Sequence, residues 1–573
     1  MKRIISILLV LCMLSFIFTA CGSKKTDSTS SSKTDAVVTD DANSTKDSNE
    51  PGDGDTSSAE IVDGKFIKTR QITVEVYDRS IDGGTPPDNN VYTDYIKEGM
   101  LRDHNVEVTF VTVPRWTEVE DLNNLLAANK APDVCVTYNY ATVLTYANMG
   151  GVIDLSSYID DYKDLFPNLW GYLGETNMYW EKDPVKGTVW AIDARLNNLS
   201  RINTFVREDW LKKLNIPEPT TLEEFEAMLT AFKDNADKLL GADAAKMVPF
   251  SISFDVGWRA DHLLGSYLPN DINDKDFYIT EFDDRKLLVP GYKDGVKKLN
   301  EWYNKGLIWK DFALYPAGDT TEDDMLKAGY VGAFIHNWDY PYRNGDDSIH
   351  NNLKRLVGED AAFVAVEPFK NEAGVYKKFL GGPNDRKLFF PATNDEPIAS
   401  LMYLDWITDL KNREFLQIGE EGVNHEVQPD GSIKTLAVTG EKVMNSPFNI
   451  DYTITINGLD LGDTDKTLKS IALGYEGVDA SYIEKAYQIT SNEGRVAKNA
   501  KVGDIASEEG MGPVLKEKRD AMLDQAVVAK PEDFDKVYDS GFADYLSSGG
   551  QTIMDDRKAA WEKIYGDGTD LPE

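Results

Sequence analysis

Two tryptophans in this sequence of 573 residues stand where an indole could do chemistry instead of filling a core. Trp116 follows the alternating run Val106, Val108, Phe110, and Trp338 follows the apolar run Gly332 to Ile335, so each opens a loop directly after a predicted strand. An indole held there offers a flat apolar plane, which suits the C–H face of a sugar ring. The hydroxyl rim of such a ring calls for forked polar side chains. Asp339 extends the Trp338 loop, and Trp258, after Ser253-Phe254-Asp255, is a third candidate plane. Forked groups are at hand in Asp78, Asn139 and the arginines Arg79, Arg115, Arg195, Arg207 and Arg259, all at loop or crossover positions. A guanidinium grips a carboxylate through two parallel hydrogen bonds. Two converging arginines would favour an acidic sugar, whereas single ones would serve as ion pairs in so acidic a chain. Of Tyr138 and Tyr140, which straddle Asn139, one is expected to face the ligand. Trp210, Trp302, Trp406 and Trp561 fall at helical spacing and are expected in the core.

These groups need elements to position them. Ile72, Val74 and Val76 alternate as a strand; a turn-rich loop from Asp78 to Asn90 and a helical stripe of Val91, Tyr92, Tyr95, Ile96 and Leu101 follow. Val106 to Phe110 is a second strand. Thr117 with Glu120 reads as a capping box before a helix carrying Val119, Leu122, Leu125 and Leu126, and Asp133 to Thr137 is a third strand. Strand and helix alternating at this spacing predict right-handed crossovers and a parallel sheet, whose carboxyl-end loops are where open α/β sheets bind ligands. Those loops deliver Asp78 and Arg79, then Arg115 and Trp116, then Tyr138, Asn139 and Tyr140. A second α/β region opens near Leu199. Thr221 is its expected cap for a helix of Leu222, Phe225, Leu229 and Phe232, with strands at Val248 to Ile252, Gly332 to Ile335 and Ala362 to Val366 and a helix at Pro397 to Leu410.

Several kinds of chemistry find no support. The chain has 97 acidic and 61 basic residues, a formal net charge of −36, which repels nucleic acid and anionic headgroups. The five histidines are scattered, and H-E-x-x-H, C-x-x-C and G-x-x-x-x-G-K are absent. No metal, no cofactor and no catalytic residue is expected.

The ends point outside the cell. Lys2 and Arg3, an apolar run from Ile4 to Phe18 and then Thr19-Ala20-Cys21 have the layout of an export leader, residues 1–20. Ala20-Cys21 resembles the bacterial lipobox, in which the new N-terminal cysteine is acylated; Phe18 departs from the leucine preferred there. The resemblance implies a lipid-anchored protein on the outer face of the bacterial cytoplasmic membrane. Residues 21–65 are polar and cannot offset their ordering entropy, so a flexible leash is expected. Only Cys135 then remains, and no intramolecular disulfide can form.

Longer stretches carry a wider resemblance. Gly187-Thr188-Val189-Trp190-Ala191-Ile192, Phe205 to Leu211, Phe334-Ile335-His336-Asn337-Trp338, Pro391 to Ile407 and Gly419 to Glu426 resemble, in order and spacing, an extracellular solute-binding lipoprotein of an ABC sugar importer, of the aldouronate and oligosaccharide branch. The resemblance implies a two-lobed α/β fold of type II, each lobe a mostly parallel sheet flanked by helices. Lobe one would hold 66–196 and 362–428, and lobe two 197–361 and 429–573. It also implies a non-enzymatic receptor, expected as a monomer, that closes on an oligosaccharide and hands it to permease subunits. It adds Trp190 and Asn424 to the ligand candidates. The alternatives are a secreted glycoside hydrolase or lyase, and a receptor of the same fold for peptide or another solute.

Overall fold

The computed structural model describes residues 61–571, apart from 81–84, 198–201, 270, 283–285, 316–318, 372–373, 375–378, 381–383, 492–494, 497–499, 501 and 503–504. The expected leader, Cys21 and the leash up to residue 60 lie outside the described residues. The leash ends sooner than expected, because Ile61–Val62 pairs with Lys65–Phe66 in a small hairpin and Phe66 enters the core.

The strands used below are β1 (Arg70–Asp78), β2 (Val106–Pro114), β3 (Cys135–Thr137), β4 (Ile192–Leu196), β5 (Ile202–Arg207), β6 (Val248–Ser251), β7 (Val331–Asn337), β8 (Phe363–Val366), β9 (Asn384–Phe389) and β10 (Ile456–Asn457). The helices are α1 (Val91–His104), α2 (Glu118–Ala127), α3 (Tyr140–Asn148), α4 (Leu222–Asp234), α5 (Val256–Arg259), α6 (Tyr292–Asn304), α7 (Pro397–Thr408), α8 (Ala480–Ser491) and α9 (Ala506–Val528).

β1 and β2 pair in parallel from Arg70 opposite Val106 to Asp78 opposite Pro114, and a bridge from Val74 to Val134 sets β3 alongside. β9 runs antiparallel between β3 and β4, and β10 lies parallel to β4. Of β1 to β4, β9 and β10, all but β9 therefore share one direction. Its core is closed by α7, whose residues from Ile398 to Thr408 are all buried, as befits a helix apolar on every side. The second body holds the order β8-β5-β7-β6, in which β6 and β7 are parallel and β5 opposes both neighbours. Trp210 and Trp302 are fully buried there, Trp210 edge-on to Phe232 at 5.1 Å and Trp302 stacked on Phe225 at 5.9 Å. Trp406 and Trp561 are buried too, so all four helical indoles fill cores.

Two expected segment assignments move. β8, expected in the first lobe, pairs with β5 in the second sheet, because Phe363 to Val366 register against Arg207 to Thr204. Conversely Tyr452 and Ile454 pack in the first core and Ile456 pairs with Arg195, so the stretch around 450–457 belongs with the first sheet and not the second. The capping box at Thr117 is also replaced. A short 3₁₀ turn, Arg115–Thr117, precedes α2, and the Thr117 hydroxyl donates to Asp121 at 2.6 Å instead of capping. Thr221 does cap α4, accepting from the Glu224 amide at 3.1 Å.

The C-terminal helix α9 packs on α5 and α6 and carries an unusual carboxyl group. Burial, then Asp520 and Asp255, push Asp524 up to about 7 from an ordinary 3.8. Between those values the folded chain holds a proton that the unfolded chain has released. Its contribution favours folding most at the acid end and is lost as pH rises through 4 to 7. Asp524→Asn is therefore expected to flatten that decline, measured as urea midpoints at pH 5 and pH 8. A decline equally steep in both proteins would assign it to other groups.

Candidate functional site

Both sheets turn the same kind of end toward the crossings between the bodies. β4 ends at Leu196 and β5 begins at Ile202, which pairs with Asn337 at the carboxyl end of β7. The carboxyl ends of β1 to β4 and those of β6 and β7 are therefore the ends that carry the loops of interest.

On the first body, Tyr77 at the end of β1 and Tyr138 just past β3 lie nearly parallel, with ring centres 6.4 Å apart. The Arg115 guanidinium stands 5.1 Å from the Tyr77 ring, 4.3 Å from Tyr138 and 5.6 Å from Trp116. Trp116 itself is 76% exposed. Among the described residues Arg115 forms no ion pair, and its Nε is buried without a partner. Behind the rings, the buried Glu118 at the start of α2 accepts from the Tyr77 hydroxyl, from Thr137 Oγ1 at 3.0 Å and from the Tyr138 amide at 3.3 Å. Glu75 accepts the Val136 amide at 2.9 Å. Its burial, reinforced by Glu118, holds its carboxyl well above the usual range. Asn139 caps α3 by accepting the Thr142 amide at 3.3 Å, and Asp78 accepts the Ser80 amide at 2.7 Å. Further along the same end, Arg195 is exposed, 5.1 Å from the ring of Tyr172, and forms no ion pair among the described residues.

On the second body, Trp338 is half-buried and meets Tyr475 at 6.2 Å and Tyr487 at 5.6 Å, both nearly at right angles. Asn203 Nδ2 donates to its carbonyl at 3.2 Å. The buried Asp339 accepts the Tyr475 hydroxyl at 2.7 Å and pairs with Arg343. Trp258 meets His336 at 4.8 Å, and His336 stacks on Tyr340. Burial, with Arg259 and Arg343 adding repulsion, lowers His336 to about 2, so it is a neutral ring at any physiological pH. The Tyr487 hydroxyl reaches the Asn197 carbonyl at 3.3 Å, which ties α8 to the first crossing. Each face thus carries indole and phenol rings among hydrogen-bonding groups, and no set of His, Cys, Asp and Glu fit to hold a metal occurs among the described residues. The arrangement is equipped to hold a ligand with flat apolar faces.

Comparison with known proteins gives this geometry its family. Residues 96–431, more than half the chain, match the sequence pattern of the bacterial extracellular solute-binding proteins. The chain belongs to that family. A curated relative of this solute-binding protein is the polygalacturonan/rhamnogalacturonan-binding protein YtcQ of Bacillus subtilis, 22% identical over 80% of this chain and 86% of the relative. Lipoprotein LipO of the same organism is 27% identical over 59% of this chain and 65% of its own length. Among solved structures, an extracellular solute-binding protein from Bifidobacterium longum subsp. infantis superposes with a TM-score of 0.56 at 17% identity, covering 87% of this chain and 98% of that one. The fold is accordingly the two-lobed type II α/β architecture, and the chain's role is to bind a solute.

The other expected ligand residues of this solute-binding protein have different work. Arg79 is locked to the buried Asp451 through bonds of 2.6 and 2.8 Å. Arg207 is fully buried, forked onto Asp209 at 2.8 and 3.0 Å and onto the Gly329 carbonyl at 2.7 Å. Asn424 is buried against Tyr92, the Lys442 carbonyl and the Glu420 amide. These three leave the candidate set, because each already spends its polar groups inside the fold. Trp190 packs beside Leu122, Leu126, Cys135 and Phe389 in a small separate core, and Tyr140 turns away to the Glu181 carbonyl. Tyr77, Tyr172, Tyr475 and Tyr487 were not foreseen. Tyr77 sits at the end of a strand that reads as purely structural, Tyr172 lies in a segment that carries no site signal, and Tyr475 and Tyr487 come from segments far along the chain from the Trp338 they brace.

Proposed function

We propose that this solute-binding protein captures an acidic oligosaccharide at the cell surface, between lobes formed by about residues 66–196 with 384–461 and 202–366 with 464–565. The observation that carries the reading is Arg115, a guanidinium stacked among Tyr77, Tyr138 and the exposed Trp116 with no carboxylate partner among the described residues. Aromatic planes cover the sugar faces, and the free fork receives a uronate carboxylate. The polygalacturonan and rhamnogalacturonan named for the relative YtcQ are polymers of this class, which supports the same reading. Trp338, Trp258 and Arg195 supply the remaining contacts. Ligand contacts available only in the closed form would shift the lobes toward closure, and the closed monomer would dock on membrane permease subunits. Acylated Cys21 would tether it there.

Tryptophan fluorescence during titration with oligogalacturonides and with neutral oligosaccharides of equal length tests this. Arg115→Gln is expected to weaken the acidic ligand by about tenfold, the scale of one charged hydrogen bond, and to leave neutral ligands nearly unchanged. Equal loss for both kinds, or no response to any sugar, would overturn the reading.

A further inference from the structure

A second cavity, of about 680 Å³, lies on the second body where nothing described so far reaches it. Val248 and Pro249 at the start of β6 and Tyr330 just before β7 line it, so it opens at the amino ends of the strands. β7 spans seven residues. At about 3.3 Å per residue the cavity therefore lies on the order of 20 Å from the carboxyl-end loops, measured along the strand.

Its walls are rings. Tyr303 at the end of α6, Trp309 and Tyr330 line it together with Met247 and Met325. Trp309 is fixed face to face with Tyr315, the planes 10° apart at 4.9 Å. The Tyr303 hydroxyl donates to the Lys310 carbonyl at 3.3 Å, and Lys246 Nζ donates to the Tyr330 hydroxyl at 3.0 Å while standing 4.7 Å from its ring. Lys246 is also paired with Asp243, whereas the exposed Lys310 forms no ion pair among the described residues. The lining therefore combines held aromatic surface with hydroxyl and ammonium groups and the carboxylate of Asp311, which together complement the hydroxyl rim of a sugar unit, while Lys310 is the cation left to meet a carboxylate. A purely lipidic ligand would leave these polar groups uncompensated.

We infer that this cavity is a second saccharide site, taking a carboxylated sugar unit of a long polymer independently of the interlobe site. The inference borrows only the sugar class from the function proposed above. Two sites on one molecule would engage separate stretches of one polysaccharide and hold the receptor at its substrate by multivalency.

The test is migration of the full chain in native gels containing polygalacturonan, alongside fluorescence titration with short oligogalacturonides. Tyr330→Ala combined with Lys310→Ala is expected to weaken polymer retention by about tenfold or more while the affinity for short oligomers stays unchanged. Tyr330→Phe, which keeps the ring, should retain the polymer, and equal urea midpoints establish that all variants are folded. Trp338→Ala should lose short oligomers yet remain retarded. Retention untouched by the double substitution, or abolished by Trp338→Ala alone, would overturn the second site. Retention that depends on Tyr330 in a protein that binds no short oligomer would uphold it and defeat the interlobe reading instead.

Discussion

Glu322→Ala is expected to lower the free energy of unfolding by about 3–5 kcal/mol, because it strands a charge that has no route to water. Arg259 is fully buried and forks onto Glu322 through bonds of 2.6 and 2.8 Å. Its remaining donors reach the Ile335 carbonyl at 2.5 Å and the Ser253 carbonyl at 3.2 Å, and Ser251 donates its hydroxyl to the same carboxylate. The cluster therefore joins the last residues of β6, the β7 backbone and α5 through one guanidinium. Removing the carboxylate leaves the cation desolvated and unneutralised, whereas replacing both partners with apolar residues of similar volume, as in Arg259→Met with Glu322→Leu, should cost far less. Urea unfolding of the three proteins decides it. A loss under about 1 kcal/mol for Glu322→Ala would mean that water reaches Arg259.

The same cluster shows why some of the site was legible in the sequence and some was not. A tryptophan directly after a strand can be read from local pattern, since strand periodicity stops and the backbone must turn; Trp116 and Trp338 do lie just past β2 and β7, and Trp210, Trp302, Trp406 and Trp561, at helical spacing, are buried. Whether an arginine is free is not local. Arg79 is occupied by Asp451, 372 positions away, and Arg259 by Glu322, 63 positions away. Nothing near either arginine announces its partner, while Arg115 and Arg195, read by the same rule, end on rings. The segment assignment failed for a related reason. β10 is two residues long, too short for a periodic signal, yet its pairing with β4 returns the chain to the first sheet. β8, by contrast, reads as a strand of the second region and pairs with β5 there; only the lobe bounds implied by the resemblance misplace it.

Trp338→Ala should cost the interlobe site about 2 kcal/mol or more, roughly a thirtyfold loss of affinity for a bound oligosaccharide. The reasoning is preorganisation. Tyr475 and Tyr487 meet the indole nearly at right angles, the Asn203 amide fixes its carbonyl, and the Asp339 carboxylate next in the chain anchors Tyr475 through its hydroxyl. A plane held from several directions pays little entropy when a sugar lands on it, so its contact energy appears almost undiminished in binding. Among the described residues the exposed Trp116 is held only by its chain and the Arg115 contact, and Trp116→Ala should therefore cost less, on the order of tenfold. Calorimetric titration of both variants with one oligosaccharide measures the difference directly. Because Trp338 is only half-buried, Trp338→Ala should stay folded, and Trp338→Phe should recover part of the affinity by restoring a smaller plane. If the folded Trp338→Ala protein bound as tightly as the parent, the braced indole would be ordinary packing, and the ligand would have to be sought along the other rings of the crossing.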